Sequence, residues 1–205
     1  MWNRLSHAVH RHFSAADERF GVRLGAGLAG MSIASVTFAL LILLVRAEWG
    51  PLHDLDTTAA ETFNRVAADE PALVKAAEVV STVFDPNVFR VVLTVIALVY
   101  LVQGDRHHAM WLAVTVFGGA ALGFALKELV GRARPVLPDP VATAPGLSFP
   151  SGHALGASIG CCLLLLITLR FLQRRGRTAA VVLAVLVVAA VALARVVLGL
   201  SLIHI

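Results

Sequence analysis

Two short stretches of this chain carry side chains suited to gripping a tetrahedral anion. The first holds Lys127 and Arg134, seven residues apart, with Pro135 directly after the arginine. If a helix runs that far, seven residues make about two turns and both cations project from one face. A residue before proline favours extended backbone, which leaves Arg134 free to turn inward. A guanidinium can bind two oxygens of one anion at once, and the lysine adds a flexible point charge. Taken singly, each cation reads equally well as an interfacial side chain that snorkels to water. The second stretch is Phe149-Pro150-Ser151-Gly152-His153, directly before an apolar run. Proline suits a first helical turn, where its missing N–H removes no bond. The amides of Ser151, Gly152 and His153 then point from a helix N-terminus, a ready anion site that glycine leaves open to a ligand. His153 can take or give a proton near neutral pH. Read alone, Ser-Gly-His fits plain helix capping as well. Arg132 and Arg195, the latter at the end of the last apolar run, complete the set of cations.

Membrane helices must position these groups. Of 205 residues, 58% are hydrophobic and 15% charged, where soluble domains run near a quarter charged. Each crossing needs roughly 20 mostly apolar residues. Five runs qualify: 24–45, uncharged between Arg23 and Arg46; 88–102, short unless Arg90 snorkels; 110–126; 154–169; and 178–194. The first is too long, and lacks the small-residue cleavage pattern, for a secretory signal. The acidic stretch 52–84 reads as one or two amphipathic helices at the interface, broken at Pro71 and at Asp85-Pro86. The stretch 127–151 holds Pro135, Pro138, Pro140, Pro145 and Pro150, and no helix can run through all of it. The expected fold class is therefore all-α, a polytopic transmembrane bundle with a cytoplasmic segment over 1–23 and one domain over 24–205.

Charge sets the orientation. Arg4, Arg11, Arg19 and Arg23 precede the first crossing, and Arg170, Arg174, Arg175 and Arg177 lie between the last two. Both groups belong in the cytoplasm by the positive-inside rule. Strict alternation then puts 52–84 outside, together with Lys127, Arg132, Arg134 and Arg195. The formal net charge of +4 is no nucleic-acid signal, because no basic run is interleaved with aromatics. Cys161 and Cys162 are neighbours in an apolar run and fit packing rather than a disulfide or a metal site. No carboxylate or histidine cluster has ligand spacing, so neither metal nor other cofactor is expected. Gly119 and Gly123, and Gly152, Gly156 and Gly160, recur at the four-residue spacing of helix-packing seams.

Lys127, six residues, Arg134-Pro135, then Pro150-Ser151-Gly152-His153, then Arg195 one helical hairpin later: this arrangement resembles the type-2 phosphatidic acid phosphatase family over roughly residues 87 to 200. The resemblance implies a bundle of six transmembrane helices with an extracytoplasmic active site. It implies that Lys127, Arg134, Ser151, Gly152 and Arg195 hold the phosphate and that His153 protonates the leaving group. It further implies metal-independent hydrolysis of a lipid phosphomonoester or diphosphate through a phosphohistidine. Phosphatidic acid, phosphatidylglycerol phosphate and polyprenyl diphosphates are all candidate substrates.

The third motif departs from the family pattern of Ser-Arg, five residues, His, three residues, Asp. Ala194-Arg195 is followed at the histidine's place by Ser201, and no Asp follows. His204 comes three residues late, which on a helix is about 4.5 Å along and some 300° around. With five crossings against an expected six, residues 201–205 read as a foreign tail on a truncated product lacking its nucleophile, and motif three ends within 194–200. The competing readings are an inactive family member, an anion transporter or a phosphate-binding membrane protein, and a phosphotransferase using the same residues. Lipid phosphate and the membrane are the expected partners; the oligomeric state is left open.

Overall fold

A computed structural model of the chain describes residues 2–132 and 146–199; for residues 2–21 and 23 it describes backbone alone. Seven α-helices follow in order: α1 (Trp2–Arg46), α2 (Gly50–Asp69), α3 (Pro71–Val83), α4 (Pro86–Val102), α5 (Arg106–Val130), α6 (Gly152–Thr168) and α7 (Arg174–Val197). A 3₁₀ turn, Leu169–Phe171, closes α6. No strand occurs among the described residues.

Residues 1–44 form a unit of their own, built from α1. Its backbone is helical from Trp2, so the expected cytoplasmic segment is continuous with the first crossing. From Leu24 most of its apolar side chains are exposed.

The second unit begins at Val45 and holds the other helices. Their boundaries follow local chemistry. Pro51 and Pro71 sit in the first turns of α2 and α3, where no N–H is missed. Asp85 caps α4, its Oδ1 accepting from the Asn87 N–H at 2.7 Å, with Pro86 next in the chain. Asp105 caps α5 through the His108 N–H at 3.2 Å. At its far end α5 stops where Gly131 turns left-handed (φ 66°) and donates to the Lys127 carbonyl at 2.8 Å.

In this unit α4 packs against both α5 and α6, α6 also against α7, and α7 against α3 and α2. The glycine seams make the close approaches. A Cβ on Gly156 would fall 2.7 Å from the Pro86 Cβ, one on Gly123 2.7 Å from the Leu155 side chain, and Gly160 lies under Phe89. Leu93, Ala97, Leu112, Val116 and Leu163 form the α4–α5–α6 core; Ala67, Ala77, Ala194 and Val197 form the α2–α3–α7 core.

By length and composition five segments can cross a membrane: Leu24–Arg46, Pro71–Val102, Arg106–Val130, Gly152–Phe171 and Arg174–Val197. The second takes in α3, which the sequence reading laid at the interface. That helix carries only Lys75 and Glu78 as charges and buries Ala77 and Ser81, so it is apolar enough to join α4 across the Asp85 break. The chain is a multi-pass helical membrane protein.

Candidate active site

Helix direction brings four ends to one end of the second unit. There α5 finishes, α6 begins, α7 finishes as the antiparallel partner of α6, and α4 begins. Lys127 is in the last turn of α5 and Arg195 in the last turn of α7, while Ser151, Gly152 and His153 open α6. Five of the six expected site residues thus share that end. Arg134 lies outside the described residues, as do Ser201 and His204. The two-turn argument that put Lys127 and Arg134 on one helix face does not hold, because α5 ends before Gly131.

Lys127 is half-buried and lies over the start of α6. Its Nζ donates to the Leu147 carbonyl at 3.1 Å, and its Cε is 4.0 Å from where a Gly152 Cβ would stand. The absence of a side chain at Gly152 therefore keeps the space beneath the ammonium open. Ser151 is buried; its Oγ accepts from the Ala154 N–H at 3.4 Å, so the capping reading of this residue is realised. Arg195 is 8% exposed, a cation deep for the end of a membrane helix.

The segment leading into α6 is stitched to the end of α5. Both the N–H and the hydroxyl of Ser148 donate to the Arg132 carbonyl, at 2.9 and 3.1 Å, and Phe149 is 1% exposed. Arg132 itself is turned away from a ligand role: its Nη2 lies 2.9 Å from the Asp56 carboxylate on α2, a carboxylate 1% exposed. Of the outer cations read from the sequence, this one is a clamp between helices.

Asp85 was read from the sequence only as a helix break, yet its Oδ2 lies 3.2 Å from His153 Nε2 while Oδ1 caps α4. A carboxylate so placed fixes the ring's orientation and tautomer. The Asp-Pro dipeptide signalled a cap, but nothing local could show that α4 and α6 start side by side. Arg90 was missed as well. One turn into α4, it donates to Asn87 Oδ1 at 2.5 Å and lines, with Lys127, Gly152 and Gly156, a cleft of about 270 Å3 between α4, α5 and α6.

The fold and this arrangement define a class: a polytopic helical membrane protein with cations and a helix N-terminus gathered at one end. Residues 108–200 match the model of the PAP2 superfamily, so the resemblance to the type-2 phosphatidic acid phosphatases stands. The structure is similar to the crystal structure of a transmembrane PAP2 type phosphatidylglycerolphosphate phosphatase from Bacillus subtilis, with a TM-score of 0.70 at 17% identity, covering 82% of this chain and 84% of that chain. At that identity the likeness speaks for the fold. No match is found among curated proteins. The family-model match and the structural likeness agree on a PAP2-type fold.

Proposed function

We propose that this end of the bundle is the phosphate site of a membrane lipid phosphatase facing the extracytoplasmic side of the cell membrane. The observation that carries the reading is Lys127 standing over the side-chain-free Gly152 at the start of α6, next to His153 paired with Asp85. On this reading Lys127, Arg134, Arg195 and the amides of Ser151 and Gly152 hold the phosphoryl oxygens and stabilise the charge they carry in the transition state. Where a histidine stands at position 201, its ring attacks phosphorus, a P–N bond forms as the ester P–O bond breaks, and His153 donates a proton to the leaving oxygen and then takes one from the water that cleaves the P–N bond. The orientation is supported by Arg170, Arg174, Arg175 and Arg177 lying at the opposite end of α6 and α7. A site at headgroup depth suits a lipid phosphate arriving by lateral diffusion.

In the family pattern the nucleophile stands where this chain has Ser201, and its orienting aspartate where this chain has Ile205. On this reading the chain holds phosphate, and position 201 supplies no histidine for the phosphohistidine route. The test compares the parent with Ser201→His/Ile205→Asp, each solubilised in detergent, for phosphate release from phosphatidic acid, phosphatidylglycerol phosphate and a polyprenyl diphosphate. The double variant is expected to gain turnover, and adding His153→Ala to lower it about 10²–10⁴-fold without preventing membrane insertion. Undiminished release after His153→Ala removes that residue from the mechanism. Anion uptake into vesicles with no phosphate release from any variant favours the transporter instead.

A further inference from the structure

The end of the bundle away from Lys127 carries a second gathering of cations. Along α6 the two ends are roughly 25 Å apart at 1.5 Å per residue. At this far end α4 finishes, α5 starts after a tight turn, and the 3₁₀ turn Leu169–Phe171 follows α6. Between them opens a cavity of about 300 Å3. Tyr100, His107, His108 and Arg170 form its polar wall, and Trp111, Leu166 and Ile167 its apolar wall.

Contacts within the cluster hold the polar wall in shape. Arg170 donates to the Tyr100 hydroxyl, and its guanidinium carbon lies 5.6 Å from the Tyr100 ring centre and 4.8 Å from that of Phe171. His108 stacks on Tyr100 with ring centres 5.3 Å apart. Over 98–111 and 166–177 the sequence has one carboxylate, Asp105, against Arg106, Arg170, Arg174, Arg175 and Arg177. Asp105 is already committed: Oδ2 lies 2.7 Å from His108 Nδ1, and Oδ1 accepts the His108 N–H that begins α5. Among the described residues no carboxylate pairs with Arg170. The cavity therefore has an excess of positive charge on one wall and hydrocarbon on the other, with Trp111 and Leu166 both exposed.

We propose that this cavity binds the phosphate headgroup of an anionic membrane lipid in the leaflet opposite the candidate active site. The guanidinium of Arg170 and the His107 ring meet the phosphate oxygens, and an acyl chain lies along Trp111 and Leu166. A soluble anion would use the first wall and leave the second idle, whereas a lipid satisfies both. Aromatic side chains at the interface and basic residues just beyond a helix end are the usual partners of such headgroups. None of these residues serves the proposed phosphatase chemistry, so the inference stands apart from it.

The chain has three tryptophans, and Trp2→Phe with Trp49→Phe leaves Trp111 as the reporter. This full-length variant is reconstituted in dioleoylphosphatidylcholine vesicles doped with chain-brominated phosphatidylglycerol or, at equal mole fraction, chain-brominated phosphatidylcholine. Bromine quenches indole only at close range, and lipid at the Lys127 end lies in the other leaflet. Association of the anionic lipid is expected to be about fivefold stronger, the effect of one basic residue near the surface. Arg170→Gln is expected to abolish the preference. Because it also removes the contact with Tyr100, His107→Gln at an exposed position is the second variant, expected to reduce it. Equal quenching by the two lipids in the reporter chain, or a preference that survives both substitutions, overturns the proposal. So does displacement by millimolar inorganic phosphate, which identifies a free anion as the ligand.

Discussion

Cutting the Arg132–Asp56 pair should cost the protein unequally depending on which partner is removed. The two side chains meet at 2.9 Å, but Asp56 is 1% exposed and Arg132 17%. Asp56→Ala leaves a guanidinium that can lean toward water, at a cost of about 1–2 kcal/mol. Arg132→Ala takes the guanidinium from a carboxylate 1% exposed, and breaking a buried pair from that side costs up to about 3–5 kcal/mol, less by whatever the other contacts of Asp56 retain. The double variant removes both charges and should cost less than the sum of the singles by about 1–3 kcal/mol. Unfolding of the purified protein in mixed micelles by titration with sodium dodecyl sulfate, followed by far-ultraviolet circular dichroism, gives all three values. Equal single costs, or strict additivity, would refute the reasoning, since either means that the carboxylate has water or that the charges do not depend on each other.

Three further outcomes follow from the same geometry. In the Ser201→His/Ile205→Asp background, Asp85→Asn should lower kcat about ten- to a hundredfold with little change in KM, less than for a fully buried triad carboxylate because Asp85 is 30% exposed; since Asn caps helices as well as Asp, an unchanged kcat would reduce Asp85 to a cap. Gly156→Ala should destabilise the solubilised protein by about 1–3 kcal/mol, because the new Cβ would stand 2.7 Å from Pro86 Cβ and 3.1 Å from its Cα; Gly118→Ala, with open space around it, should not lower the Tm, and an equal loss at both sites would show that packing is not the cause. The backbone hydrogen bond from His108 is the largest influence holding the Asp105 carboxyl below its ordinary pKa, with the His108 ring adding to it. Its contribution to stability is therefore complete above the ordinary carboxylate range and is lost as pH falls through the depressed value, so amide protection of His108 should drop only there, and not at all in Asp105→Asn.

The crossings were legible because hydrocarbon imposes length and apolarity on each one separately, and the breaks at Pro71 and Asp85-Pro86 because proline acts locally. Ser151 as a cap and Lys127 near the end of its helix were legible for the same reason. The partners were not. Asp85 meets His153 across 68 positions of sequence, and Arg132 meets Asp56 across 76, and neither pairing leaves a periodic or dipeptide signal. The extent of α5 was read short: the crossing was placed at 110–126, whereas the helix runs to Val130 and stops where Gly131, between an apolar run and a basic stretch, turns left-handed.

Three charges at the candidate site sit at the helix ends that favour them. Lys127 and Arg195 occupy the C-terminal turns of α5 and α7, where partial negative charge gathers, and Asp85 occupies the N-terminus of α4, where it is positive. Each such placement contributes about 0.3–1 kcal/mol, more where burial weakens screening. That offsets part of the cost of keeping a cation as deep as Arg195. The start of α6 is the exception: among the described residues no carboxylate caps it, only the neutral Ser151 hydroxyl. A carboxylate there would answer the helix dipole permanently and repel a phosphate. With serine at the cap and glycine next to it, the proposed phosphate would take that favourable position, and the cations that would meet it are stabilised by the helices carrying them. Ser151→Asp separates the two roles. If the position serves only the fold, the substitution should hold or raise stability and leave phosphate binding unchanged; if it serves the ligand, stability should hold while binding weakens by about tenfold or more.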